Sequence, residues 1–281
     1  MYDPHKVTTL DYLIEDIETK INNPNYDKSY LIRLKDFLEN NIKKEYENIP
    51  VVAITFLVKK YNKNETSEMS EENQDYYKNK EFANLFEKML RSKTKSKIYS
   101  LVSIEDYSEY NILIIGEPDG LSFEGKMNNK AKIYEVKSFN LTKFNQYVKE
   151  SKEYFLIKKV FNKIKISSSQ LMLYQYLLEK TQTYSLIGKK DKINLYGKIY
   201  FYSECMEHLN WARKRIEYNF NTIKGYAIKY NAYNLSLKDE EIINMNNKNI
   251  YYFKINFRIK YNQKIVENYL KNINELIKSL K

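Results

Sequence analysis

One cysteine, Cys205, permits no internal disulfide and no thiolate set for an iron–sulfur cluster or a four-cysteine zinc site, so an intracellular protein is expected. Glycine is scarce at six residues, and no G-x-x-x-x-G-K-[ST] string occurs, which excludes a P-loop motor in this chain. No apolar run reaches the roughly 18 residues that a membrane helix needs. The first residues, MYDPHKVTTLDYLIEDIE, carry acids where a signal peptide needs an apolar core. A soluble, cytoplasmic protein with no membrane partner follows as the expectation. Acids are also in the minority: Asp+Glu 36 against Lys+Arg 47 give a formal +11. That balance favours a polyanionic partner and says nothing about fold.

What is present reads as one elaborated domain of 281 residues, long enough to bury a real core. Residues 8–48 predict two helices broken at NNPNYDKS, with Leu10, Leu13, Ile14 and Ile17 on one face. After Pro50, VVAITFLV predicts a short apolar strand, and the polar stretch NKNETSEMSEENQDYY predicts a loop entering a helix near 77–92. KIYSLVSI (97–104), NILIIG (111–116) and AKIYEVKSF (131–139) predict a meander at the centre of a sheet. Beyond it, helices are expected near 142–163 and 168–180, a strand at 193–202, a helix from Met206, a strand at 249–261 and a closing helix from about 263. The expected partition is a helical N-terminal extension (1–50), a core (51–205) and a C-terminal α/β elaboration (206–281).

The acids worth weighing lie in GEPDGLSFEGKMNNKAKIYEVKSF, residues 116–139. An E-x-K string alone carries little, since four occur, at Glu18, Glu124, Glu135 and Glu150. Glu135 differs because Ile133 and Val136 mark a strand, and period-2 geometry puts Glu135 and Lys137 on one face. Asp119 lies 16 residues earlier, just past an apolar strand, so two adjacent strands can bring the three together. A hard divalent cation takes oxygen ligands, and Asp119, Glu135 and the Val136 carbonyl would form one open face of a magnesium site. Lys137 would then orient a water nucleophile or balance phosphate charge. The plain alternatives are a Pro-Asp-Gly turn for Asp119 and a solvated ion pair for Glu135 and Lys137.

This arrangement resembles the PD-(D/E)xK nuclease superfamily, with the PD at Pro118 and Asp119 and the ExK at Glu135, Val136 and Lys137. Thirty-three residues past Lys137, Gln170 and Tyr174 form the chain's one Q-x-x-x-Y pair. That pair is the added signature of the RecB-type branch, which includes the CRISPR adaptation nucleases and viral relatives. The resemblance spans about residues 80–203. It implies a restriction-endonuclease-like mixed central β-sheet flanked by helices, with extra N- and C-terminal helical segments. It also implies a Mg²⁺- or Mn²⁺-dependent deoxyribonuclease, with Asp119, Glu135, Lys137, Gln170 and Tyr174 as catalytic residues. Asp119, Glu135 and the Val136 carbonyl would hold the metal, and single- or double-stranded DNA would be the partner, in a cytoplasm that is the host's for a viral relative. A homo-oligomer or a protein partner is compatible with it.

The chain departs from that branch in two ways. Members commonly carry a histidine upstream of the aspartate, whereas His5 lies 114 residues before Asp119 and His208 follows every motif. In NKEFANLFEKML, Asn84 falls in the histidine's place, with Glu81 or Glu87 as substitutes if another helix face turns inward. The iron–sulfur cysteines are missing, so a cluster-free relative is expected. These departures motivate the alternative of a catalytically degenerate nuclease-fold protein that binds nucleic acid or an assembly partner without cutting. Three basic runs, Lys88/Arg91/Lys93/Lys95/Lys97, Lys158/Lys159/Lys163/Lys165 and Arg213/Lys214/Arg215, are candidate phosphate contacts. The C-x-x-H of Cys205 and His208 is expected to be a helical pair without metal, and Trp211 to pack in the core.

Overall fold

The computed structural model describes residues 3–46, 48–63, 76–107, 110–124, 130–139, 144–188, 194–219, 221, 232–245, 248–259 and 263–278. It is a mixed α/β structure with two mixed sheets flanked by helices. The first sheet has four strands in the order β1 (Thr8–Thr9), β2 (Pro50–Ala53), β4 (Tyr110–Gly116), β3 (Leu101–Tyr107), with β2 parallel to β4. The second has five, in the order β5 (Gly120–Glu124), β6 (Lys130–Ser138), β7 (Asn194–Ser203), β9 (Lys248–Ile259), β8 (Ala232–Met245), with β6 parallel to β7. The expected single meander is therefore divided between two sheets. Glu117, Pro118 and Asp119 carry the chain from β4 of one to β5 of the other, and a proline there cannot donate to a ladder.

The two N-terminal helices form as their apolar spacing predicts. Helix α1 (Leu10–Lys20) buries Leu10, Leu13, Ile14 and Ile17. Helix α2 (Lys28–Phe37) is capped by Asp27, whose side chain accepts from the Tyr30 N–H, and it continues through a π-helical stretch, Leu38–Ile42, into α3 (Lys43–Glu45). The apolar run after Pro50 is only half strand. Helix α4 begins at Ile54 and buries Ile54, Leu57 and Val58, a helical spacing hidden inside an unbroken apolar string. Helix α5 (Tyr76–Thr94) forms where expected; of the loop predicted over 62–77, residues 62–63 end α4, 76–77 begin α5, and 64–75 lie outside the described residues.

After the short α6 (Phe144–Lys149), a single helix α7 (Glu153–Glu179) replaces the two expected there, running 27 residues, about 40 Å, straight through Ser167, Ser168 and Ser169. Its second half is almost wholly buried, packing against strands of both sheets. At that depth small serines fit where bulkier residues would hold neighbours off, and Ser169 accepts from the Tyr269 hydroxyl (2.8 Å) of α10 (Gln263–Lys278). Helices α8 (Thr181–Ile187) and α9 (Met206–Tyr218) complete the set. Strand β8, in a stretch for which no element is predicted from sequence, extends the second sheet with register shifts at Tyr233/Ser236 and Lys238/Glu241. Among the described residues, no helix is long and apolar enough to cross a membrane.

The two faces of the five-stranded sheet are covered by different layers. Ala131, Ile133 and Phe139 belong to the large core that includes α7, while Tyr134 and Val136 belong to a second cluster with Phe86 and Leu90 of α5. Successive β6 side chains thus meet α7 and α5 in turn.

Glu117 anchors the link between the sheets. Its carboxylate accepts from Lys20 Nζ (2.8 and 2.9 Å), from the Tyr26 hydroxyl (3.4 Å) and from Ser100 Oγ, tying α1 to the connecting segment. Lys20→Met is expected to lower unfolding free energy by about 2 kcal/mol, below the 3–5 typical of a fully buried pair because both groups retain some solvent. Urea titration checks this, and a double variant with Glu117→Gln should recover part of the loss.

Candidate active site at the Asp119 turn

Strand β6 places Glu135 and Lys137 on the α7 face. Glu135 is almost fully buried, its side chain 3% exposed, and its Oε2 accepts from Lys137 Nζ at 2.7 Å. The same ammonium donates to Gln170 Oε1 at 3.2 Å. One turn along α7, Tyr174 stands beside them and donates its hydroxyl to the Glu117 carbonyl at 3.2 Å. The ordinary alternative of a solvated Glu135–Lys137 pair is excluded by this burial.

Asp119 enters from the sheet edge. β5 begins at Gly120, paired with Tyr134, and past that point Asp119 Oδ2 accepts from the Val136 N–H at 2.6 Å, standing in for the missing strand. A strand residue sends its N–H and C=O to the same edge, so the Val136 carbonyl also leaves β6 on the Asp119 side. Extending the β5 register two positions would set Pro118 opposite Val136, and proline has no N–H to give that carbonyl. The proline thus keeps the carbonyl clear of a β5 ladder bond.

Both glycines of GEPDG are required by close approach of a tyrosine. A Cβ on Gly120 would lie 2.0 Å from the Tyr134 ring, and one on Gly116 would lie 2.7 Å from the Tyr174 ring. The Tyr134 ring cannot retreat freely, since its hydroxyl is bonded to Ser96 and to Thr94 (3.1 Å).

Of the three substitutes for the absent histidine, Glu87 is the one brought to this cluster. Its carboxylate faces Arg91 Nη1 at 3.4 Å, and Arg91 Nη1 donates to the Asp119 carbonyl at 2.9 Å. Asn84 is exposed, and the Glu81 side chain lies outside the described residues. Arg91 was legible only as one member of a basic run; its burial with α5 gives it a different task.

Three carboxylates, Asp119, Glu135 and Glu87, therefore share a space with two cations, Lys137 and Arg91. Burial pushes the Glu135 carboxyl up to about 7, with Lys137 opposing and Asp119 adding to the shift. Burial and the Asp119 charge push Glu87 up to about 8. Asp119 is also raised by burial, against the pull of Lys137 and the Val136 N–H. Lys137 is raised despite burial, because Glu135 and Asp119 hold its proton. With all three carboxylates ionised, the cluster is one positive charge short of neutral.

The group that bears on a divalent cation is Glu135 Oε1, which is buried and makes no hydrogen bond of ordinary geometry, the Tyr174 hydroxyl beside the carboxylate being directed to the Glu117 carbonyl. An unsatisfied buried carboxylate oxygen next to a second carboxylate and a main-chain carbonyl suits a hard oxygen-seeking cation. No group of three or more His, Cys, Asp or Glu is gathered to hold a metal ion among the described residues, so Glu87 stands near the pair without completing it.

Other sequence candidates lie elsewhere. Glu124 forms an exposed ion pair with Lys132 at 2.6 Å. His208 packs on the Phe144 ring (4.5 Å) with its pKa lowered by burial, Cys205 precedes its helix, and Trp211 lies edge-on to Phe144 at the core margin. Much of the basic runs is engaged internally: Lys93 on the Tyr252 hydroxyl (2.9 Å), Lys97 on the Pro24 carbonyl, Lys163 on the Ser138 carbonyl (2.7 Å) and Arg215 on Glu153.

No protein-family model matches the chain, and no curated protein does. Among solved structures, the crystal structure of SSO0001 is similar at 11% identity with a TM-score of 0.30, over 69% of this chain and 71% of that one, a likeness too slight to carry an argument.

Gly120→Ala is expected to cost about 1–3 kcal/mol by forcing the Tyr134 ring and the Asp119 turn apart, read by urea denaturation. The pH dependence has a definite sign. Carboxyls whose folded pKa is raised stabilise the fold below their ordinary value of 4.5, and that contribution is lost as pH rises through about 7 for Glu135 and about 8 for Glu87. Melting temperature should fall between pH 5 and pH 8, and Glu135→Gln should flatten the fall.

Proposed function

We propose that the chain is a metal-dependent nuclease of the PD-(D/E)xK type that hydrolyses phosphodiester bonds of DNA, using Mg²⁺ or Mn²⁺. The observation that carries this reading is the convergence of Asp119, Glu135, Lys137, Gln170 and Tyr174, drawn from three separate stretches of chain, around the buried Glu135 carboxylate.

Asp119, Glu135 and the Val136 carbonyl would hold the cation. When bound, it would polarise the phosphoryl group and offset the charge that develops there. The chain's own residues supply the rest. Val136 N–H and Arg91 fix Asp119 from two sides, one at the carboxylate and one at the carbonyl. Lys137 has three N–H donors, of which Glu135 and Gln170 take two, leaving one for a water or a phosphoryl oxygen. Gln170 keeps the ammonium on that side, since its Oε1 is engaged while its amide N–H groups stay available. Tyr174, held against Gly116, closes the α7 side of the cluster.

A second reading is a protein on the same scaffold that binds nucleic acid or an assembly partner without cutting. What favours it is that Lys137 already neutralises Glu135, while Glu87 is engaged by Arg91. The two readings part on one experiment. Single-stranded, duplex and circular DNA are incubated with native protein and either metal, beside Glu135→Ala and Lys137→Ala. Cleavage by the native chain, reduced at least a hundredfold in both variants, is the expected result. DNA binding with no cleavage by any of the three would establish the second reading, and cleavage surviving in both variants would place the chemistry elsewhere.

A further inference from the structure

The α5-facing side of the five-stranded sheet carries a feature that the Asp119 cluster does not use. Helix α5 covers Tyr134, Val136, Tyr200, Tyr202 and Tyr252 with Phe86 and Leu90. The strand register continues that same face past the helix. Lys132 of β6 pairs with Tyr196, and Tyr134 pairs with Lys198 of β7. Tyr200 pairs with Lys254 of β9. Directly paired residues share a face, so Lys132, Lys198 and Lys254 form a diagonal row across three adjacent strands.

Such a row destabilises the fold when taken alone, because like charges on neighbouring strands repel. The strain registers on the central member: the Lys198 pKa is lowered by partial burial and by Lys132 and Lys254 on either side. Exposed Lys130 lies on the same face of β6, and at the end of α5 Lys93 reaches the Tyr252 hydroxyl. On the same patch Glu124 pairs with Lys132 at 2.6 Å.

We propose that this lysine row is a phosphate-binding face for a nucleic-acid backbone, separate from the Asp119 cluster. Charge complementarity selects the occupant. Side chains on neighbouring strands lie within about 5–8 Å of one another, so successive lysines can each take a phosphate along a backbone. Glu135 and Lys137 project from the opposite face of β6, so the row stands whether or not the cluster cleaves DNA.

The test uses full-length protein with a chelator present, so that no hydrolysis occurs. Affinity for a fluorescein-labelled duplex is measured by anisotropy between about 50 and 200 mM salt. Lys132→Gln/Lys198→Gln/Lys254→Gln is expected to make the slope of log affinity against log salt shallower by about 2.7, or about 0.9 for each phosphate no longer neutralised. Its melting temperature should stay close to that of the native chain, since the exposed Lys132–Glu124 pair that it removes contributes little, whereas a structural role would lower it. Lys198→Gln alone should change the slope by about 0.9 and serves if the triple variant misfolds. An unchanged slope overturns the proposal. So does an unchanged DNA slope accompanied by weakened binding to phosphatidylserine vesicles, which would assign the face to a lipid surface.

Discussion

The site is organised by one electrostatic constraint: a glutamate buried on β6 beside a lysine and a second acid, with too little positive charge to balance it. Glu135 is removed from water, bonded through one oxygen to Lys137 and left unsatisfied at the other. A buried carboxylate in that condition destabilises the fold unless a proton or a cation completes it. The surroundings serve to keep it there. α7 brings Gln170 and Tyr174, the turn before β5 brings Asp119, and α5 brings Arg91 with Glu87.

Packing makes that gathering possible. Gly116 and Gly120 let two tyrosine rings close on the connecting segment, and Pro118 withholds the donor that would otherwise occupy the Val136 carbonyl. Glu117 fastens the same segment to α1 through Lys20. The pentapeptide GEPDG, which joins one sheet to the other, thus has a physical reason for every residue.

Much of the cluster was legible in the sequence because period-2 alternation and i,i+4 spacing are local rules. Glu135 with Lys137, and Gln170 with Tyr174, follow from them directly. The placement of Asp119 needed only adjacent strands. What stayed hidden depends on long-range packing. Arg91 reads as surface charge until α5 turns it toward the Asp119 carbonyl, and Glu87 cannot be separated from Glu81 and Asn84 without the helix orientation. The helical half of VVAITFLV, the unbroken course of α7 through three serines, and the division of one meander into two sheets were obscured because an apolar run lacks a period when both faces are buried. The lysine row is spread over strands far apart in sequence, so only the register assembles it.

We propose that Asp119 and Glu135 are held together for a cation. Calorimetric titration of Mn²⁺ into the protein at pH 8, above the value of about 7 for Glu135, tests it directly. One saturable site in the native chain, abolished in both Asp119→Asn and Glu135→Gln, is the predicted result. No saturable binding, or a site that survives both substitutions, would contradict the account.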